Sequence, residues 1–184
     1  MPGRRKLLSQ PLKRLSCNVE HLWSPWRYRY LAEAKKPAGC VFCGIKASAD
    51  DEQNLVVYRG QLNFVVLNRY PYTSGHVMVV PYAHAASLLE IPEETSAEMM
   101  ALIRAAEGCL RTVYRPDGIN VGMNMGESAG AGIAGHIHMH VLARWYGDSN
   151  FMTTIAETRV VPEDLDVTWR RVRDGFKELL AARG

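Results

Sequence analysis

No stretch of this 184-residue sequence approaches the roughly 18–20 consecutive apolar residues that cross a bilayer, which excludes a transmembrane helix. Cysteine is scarce. Its four residues, Cys17, Cys40, Cys43 and Cys109, are too few for a disulfide scaffold, so the expected compartment is the reducing cytoplasm. Net charge is small too, with 22 basic against 19 acidic residues leaving +3. Five of the basic residues (Arg4, Arg5, Lys6, Lys13 and Arg14) precede the first acid, Glu20, and the remainder is 17 basic against 19 acidic. A body this close to neutral argues against a broad nucleic-acid-binding face. The start, MPGRRKLLSQPLKRLS, has the charge of a signal peptide but no apolar stretch behind it. Secretion is therefore not expected, and residues 1–20 read as a disordered, solubilising tail. Internal repeats and low-complexity tracts are missing. What is present is a chain 47% hydrophobic, able to bury a sizeable core and of a length that suits one domain over residues 21–184.

The domain opens with an aromatic, basic arm, residues 21–39, in which Trp23, Trp26, Tyr28 and Tyr30 surround the breaker Pro25. Rings this costly to leave in water are expected to pack on something. Cys40-Val41-Phe42-Cys43 follows, then a polar loop to Asn54. Asn54–Arg59 and Gln61–Asn68 alternate or run apolar around Gly60, which predicts a hairpin, and His76–Pro81 predicts a third strand. Pro92-Glu93-Glu94 marks a helix start, and Met99, Leu102, Ile103, Ala106 and Leu110 keep helical spacing to about Tyr114. Arg115-Pro116-Asp117-Gly118 stops that helix, and Ile119–Met123 predicts a fourth strand. The glycine-rich loop Gly126–Gly135 leads into a fifth strand, His136–Ala143, and a last helix spans about Pro162 to Ala182. Strands and helices do not alternate regularly. The order predicts an α+β fold, a mainly antiparallel five-stranded sheet with one long helix and a C-terminal helix.

The run Gly135-His136-Ile137-His138-Met139-His140-Val141-Leu142 holds three of the six histidines. Alternate side chains of a strand share one face, about 6.6 Å apart along it. His136, His138 and His140 would then line one face while Ile137, Met139 and Val141 point into core. Surface placement accounts for one such histidine but not for the alternation. Two chemistries remain open, a three-histidine metal site and a nucleophilic histidine with two supporting neighbours. A neutral imidazole attacks phosphorus well, provided its other nitrogen is held by an acceptor and donors surround the oxygens where charge develops. The loop Gly126-Glu127-Ser128-Ala129-Gly130-Ala131-Gly132, just upstream, can bring backbone N–H groups close to a phosphate.

His136–Leu142 resembles the signature of the histidine-triad (HIT) family, His-φ-His-φ-His-φ-φ with φ apolar. Leu67-Asn68-Arg69-Tyr70-Pro71 with Gly75-His76-Val77-Met78-Val79-Val80-Pro81 is similar to the family's nucleotide-binding strand pair. The motifs Leu22-Trp23-Ser24-Pro25-Trp26-Arg27, Asn120–Gly126 with Ser128-Ala129-Gly130, Arg144-Trp145, Gly147-Asp148 and Asn150-Phe151-Met152 resemble the bacterial diadenosine-tetraphosphate phosphorylase/hydrolase branch. Similarity runs from about residue 22 to about 165.

The resemblance implies a HIT-like fold that pairs into a homodimer through a continuous sheet. It also implies cleavage of dinucleoside polyphosphates, diadenosine tetraphosphate favoured, through a nucleotidyl-histidine that water or phosphate resolves. A nucleoside phosphoramidate hydrolase and a non-catalytic nucleotide-binding regulatory module are the alternatives, and no nucleic-acid or membrane partner is expected. By position, His138 is the implied nucleophile and His140 contacts phosphate oxygens and assists the leaving group. The main-chain carbonyl of His136 holds the His138 ring, and His76 supports the site from behind. Asn68 is implied to face the ribose, Asn124 with Ser128, Gly130 and Gly132 the polyphosphate, and Phe42, Ile45 and Leu67 the base.

Many hydrolase members carry Gln four positions before the first triad histidine, where this chain has Gly132, a change that bears on whether water or phosphate is the acceptor. The third position, His140, is not the Gln of the nucleotidyl-transferase branch, which argues against a hexose-phosphate uridylyltransferase. Gly135 stands where close relatives often carry an acid, and the sequence offers no account of that change.

Cys40-x-x-Cys43 has the spacing of two thiolate ligands but supplies half of a tetrahedral site. A redox pair would open a helix in a thioredoxin-like unit, which the pattern lacks. In zinc-bearing relatives the other two ligands fall at positions that are His84 and His136 here, so the resemblance implies a structural Zn2+ held by Cys40, Cys43, His84 and His136. Four protein ligands leave no open coordination position for substrate. It leaves room as well for a divalent cation, Mg2+ or Mn2+, arriving with the substrate.

Overall fold

Valine crowds the segment from residue 56 to 81, and such β-branched runs suit extended backbone covered on both faces. The computed structural model, which describes residues 39–148 and 163–182, forms three strands there. These are β1 (Val56–Arg59), β2 (Asn63–Leu67) and β3 (Val77–Pro81), and every residue of β2 and β3 is buried. With β4 (Gly118–Met123) and β5 (Met139–Arg144) they make a five-stranded sheet in the order β1-β2-β3-β5-β4, antiparallel at every step. The expected α+β fold is the one observed. The basic tail, the aromatic arm and the Asn150-Phe151-Met152 motif lie outside the described residues.

Two helices join the sheet, α2 (Glu93–Tyr114) and α3 (Leu165–Ala181). The residues expected on the core stripe of α2, Met99, Leu102, Ile103, Ala106 and Leu110, are all buried. Glu93 and Glu94 in its first turn complement the helix dipole. The helix ends because the residue before a proline is pushed out of the α region, and Arg115, before Pro116, takes the left-handed conformation at φ 47°. The α3 helix packs on α2 and β1, where Trp169 Nε1–H donates to the Val56 carbonyl at 2.8 Å and Phe176 stacks on Tyr58 with centroids 5.5 Å apart. Burying a side chain such as Phe176 or Val172 stabilises the fold by about 1.5–3 kcal/mol. Cys109, between the helices, is a core thiol that burial pushes up to about 12, so it is chemically quiet at neutral pH.

The β1–β2 hairpin is tied down by Glu98 of α2. Its carboxylate accepts from the amides of Gln61 and Leu62 at 2.7 and 2.8 Å and from Asn63 Nδ2 at 2.7 Å. Burial works against the charged form, but these hydrogen bonds win and hold the Glu98 carboxyl below the usual carboxylate range.

Several boundaries depart from expectation by one to three residues, two of them for a reason the structure shows, and a short helix is new. The first strand begins at Val56 and not Asn54, because Leu55 adopts φ 60° at the end of a turn. The fifth strand begins at Met139 and not His136. Antiparallel pairing would set Ile137 opposite Pro81, which has no amide hydrogen, and the Pro81 carbonyl accepts from His136 Nε2 at 2.9 Å. Ile137 N–H turns instead to the Ala85 carbonyl at 2.8 Å. The expected polar loop after Cys43 is in part a helix, α1 (Val41–Ala47), which starts within the Cys40–Cys43 segment. Among the described residues no helix is long and apolar enough to cross a membrane.

Candidate functional site

Two groups of side chains meet at the start of β5. The first is a donor cluster. Cys40 caps α1, Cys43 follows one turn later, His84 lies beyond β3, and His136 precedes β5. Their four ligand atoms all lie within 4.8 Å of one another. Cys40 Sγ is 3.2 Å from His136 Nδ1, Cys43 Sγ is 3.3 Å from His84 Nδ1, and Cys43 Sγ is 3.8 Å from His136 Nδ1. A tetrahedron with Zn–S near 2.3 Å and Zn–N near 2.0 Å has edges of roughly 3.5 Å, so the donors fit a metal of that size and softness. The tautomer fits as well. A carbonyl only accepts, so His136 Nε2 carries the hydrogen that Pro81 O receives, and Nδ1 is left bare toward the thiols.

The second group is the histidine row. His138 Nδ1 donates to the His136 carbonyl at 2.9 Å, leaving Nε2 with a free lone pair. The Tyr72 amide donates to His76 Nδ1 at 3.2 Å, so His76 Nε2–H points at His140 Nδ1, 2.9 Å away. His140 then holds its hydrogen on Nε2. Main-chain groups thus set the tautomers of His138 and His76, and His76 sets that of His140: one imidazole presents a lone pair and its neighbour, with ring centroids 4.8 Å apart, presents an N–H. Burial lowers the pKa of His138, and with the neighbouring imidazoles it pushes His76 down to about 3 and His140 to about 4. The row is neutral at pH 7, the state in which imidazole is a nucleophile.

The shared face expected of His136, His138 and His140 survives the shortened strand. Phe42 touches both His136 and His138, with centroids 5.3 and 5.0 Å away, and His140 continues to His76 at 5.0 Å. Ile137 packs with Ala85 and Ile91, and Val141 lies in the main core. The His136 ring turns to the thiols, which leaves His138 and His140 as the two imidazoles of the row outside the donor cluster.

The remaining candidates are placed as follows. Asn68 sends Nδ2 to His76 Nδ1 at 3.3 Å and accepts from the Tyr70 amide at 3.0 Å, which makes its amide part of the support for His76. Asn124 Nδ2 reaches the Gly130 carbonyl at 3.4 Å and so braces the glycine-rich loop. Ser128, Gly130 and Gly132 are exposed on that loop, which contains a short 3-10 turn, Glu127–Ala129. Gly126 and Gly130 take φ of 85° and 90°, a region only glycine enters cheaply, and this lets the backbone double back beside β5. Leu67 is buried at the end of β2, Ile45 is half-buried on α1, and Phe42 is buried against the imidazoles. Sequence reasoning missed Tyr72 and the Pro81 carbonyl as determinants. Both act through main-chain atoms, which every residue type carries, so no side-chain signal marks them.

Comparisons with known proteins give the same frame. A HIT domain family model matches residues 50–146. The chain is 44% identical over 160 residues to a Mycobacterium tuberculosis protein named AP-4-A phosphorylase, covering 83% of this chain and 82% of that one. Its structure is similar to that of a zinc-bound histidine triad family protein from Mycobacterium smegmatis, with a TM-score of 0.65, 31% identity, and 78% and 97% of the two chains covered. It also resembles a hypothetical histidine triad nucleotide-binding protein from Sulfolobus tokodaii, with a TM-score of 0.62, 26% identity, and 76% and 93% covered.

Proposed function

This chain belongs to the HIT family, and on that premise we propose that it cleaves dinucleoside polyphosphates, with diadenosine tetraphosphate favoured, through a nucleotidyl-His138 intermediate. The observation that carries the proposal is the pairing of a bare Nε2 on His138 with an N–H on His140 beside it. His138 Nε2 attacks the α-phosphorus. A P–N bond forms as the P–O bond to the departing ATP breaks. Positive charge grows on the imidazole, and its Nδ1–H strengthens the bond to the His136 carbonyl. His140 Nε2–H donates a hydrogen bond to a phosphate oxygen, and the amides of the loop at Ser128–Gly132 face the rest of the polyphosphate.

Phosphate is the proposed acceptor. The name of the 44%-identical relative supports it, and so does Gly132, where a side chain would meet nothing within 4 Å, so the surface beside the loop is open to a second anion. Product analysis with diadenosine tetraphosphate decides the acceptor. ADP plus ATP, made only when inorganic phosphate is added, is the expected result, and AMP plus ATP in either case would assign water instead.

Zinc is the metal proposed for the Cys40, Cys43, His84 and His136 cluster, where it would join α1 to the residue that holds the nucleophile. It supplies structural cross-linking there and no open position. The proposed homodimer forms along β4, an edge strand on which Asn120, Val121 and Gly122 are exposed. Sedimentation equilibrium is expected to return twice the 20.6 kDa chain mass, and a single-chain mass would remove the dimer.

A further inference from the structure

Phe42 stands in sequence between two metal-ligating cysteines and in space against two imidazoles. It is 2% exposed, its ring 5.3 Å from that of His136 at 72° and 5.0 Å from that of His138 at 53°. It projects from α1, seven residues long, with no side-chain hydrogen bond at its cap and no acid in its first turn. A helix this short has little stability of its own in water. Its C-terminal end is held by Arg59, which donates to the Ile45 and Ser48 carbonyls at 3.3 and 2.8 Å. Its first turn is held by the burial of Phe42 and by the cluster that Cys40 and Cys43 share with His84 and His136.

The nucleophile needs such a neighbour. One hydrogen bond, from Nδ1 to the His136 carbonyl, fixes the His138 tautomer but lets the ring pivot about the N–H···O line. Packing against Phe42 and against His140 limits that pivot. We infer that Phe42 is a positioning residue that couples the metal cluster to the nucleophile: closing the cluster seats the first turn of α1, and the seated ring holds His138 at its working angle. The inference rests on His138 as nucleophile and goes beyond it, since the link that His136 makes, by its ring to the cluster and by its carbonyl to His138, does not require Phe42.

Coupling of this kind is reciprocal, so a ligand at His138 must tighten the metal as much as the metal tightens the ligand. Zinc affinity, read by chelator competition with and without AMP, tests it apart from turnover. AMP is expected to raise the zinc affinity of the wild type about fivefold or more. In Phe42→Ala that ratio falls toward one. Phe42→Leu, which nearly keeps the volume and guards against a folding failure, retains one zinc per chain, shows a reduced ratio and loses about tenfold in kcat with KM less affected. A wild type that binds AMP with unchanged zinc affinity overturns the coupling, as does an equal ratio in the wild type and both variants. Should AMP fail to bind the zinc-loaded wild type, the functional reading falls and the coupling with it. Turnover that survives His138→Ala removes the nucleophile alone, and the zinc–AMP ratio still decides whether Phe42 links the two sites.

Discussion

His138→Ala is expected to lower kcat/KM for diadenosine tetraphosphate by about ten-thousand-fold or more, equivalent to about 5 kcal/mol of lost transition-state stabilisation. The size follows from the geometry. Alanine removes the one lone pair aimed out of the row, and its neighbour cannot replace it, because His140 Nδ1 is engaged by His76 and its other nitrogen carries hydrogen. Water is then the only nucleophile, with the donors still in place. Intact-mass analysis of quenched turnover mixtures is the companion measurement: the wild type carries one nucleotidyl group and His138→Ala carries none. Turnover of the variant within a few fold of the wild type would remove covalent catalysis at this residue. The pH profile reports the same neutral row. His140 lies near 4 and His76 near 3, below the 6.5 of a free imidazole, because burial disfavours their charged forms. Protonation of His140 puts a hydrogen on Nδ1 and breaks its pairing with His76 Nε2–H, so this loss of kcat is expected only as pH falls toward about 4. The lowered pKa of His138 sets the nucleophile's own acid limb below that of a free imidazole.

Stripping the metal is expected to cost about 4 kcal/mol of stability, the linkage energy of an ion present at a thousand times its dissociation constant, and to lower Tm by roughly 10 °C. Among the described residues the first turn of α1 has no other firm anchor than Phe42, and without the ion only thiol–imidazole contacts, Cys40 to His136 and Cys43 to His84, join the four donors. Elemental analysis is expected to find one zinc per chain in the wild type and in His138→Ala, and none in Cys40→Ala. The opposite pattern, zinc lost with His138 and retained without Cys40, would make the histidine row the metal site and end the nucleophile proposal. The geometry argues for the first pattern, since the bare Nδ1 of His136 lies among the thiols and the only His138 nitrogen near a partner donates to a carbonyl.

The strands and the long helix were legible because they follow patterns that side chains carry. Five apolar residues at helical spacing, from Met99 to Leu110, all proved buried, and a proline after Arg115 stopped the helix where steric exclusion requires. The candidate site was legible for a related reason: histidines with apolar residues between them have few uses in a core. Boundaries were less legible, and two of them show why. Leu55 closes a turn at positive φ, which its side chain does not advertise, and β5 starts late because its cross-strand partner is Pro81, a fact of register between residues far apart in sequence. The helix at Val41–Ala47 escaped for want of a cap signal and for its length, too short to show a periodicity.

Residue identity alone specified which chemistries were available: imidazoles on alternate positions, two thiols three apart, and a flexible glycine loop. It could not say which nitrogen of each ring is bare, because that depends on the carbonyls of His136 and Pro81 and the amide of Tyr72, groups common to all residues and brought into range only by folding. Nor could it say that His136 turns its ring to the thiols while lending its carbonyl to His138, or that Phe42 lies between the two sites. Side-chain type is local information. Tautomer, burial and ring orientation are properties of neighbours, and neighbours exist only once the sheet has closed.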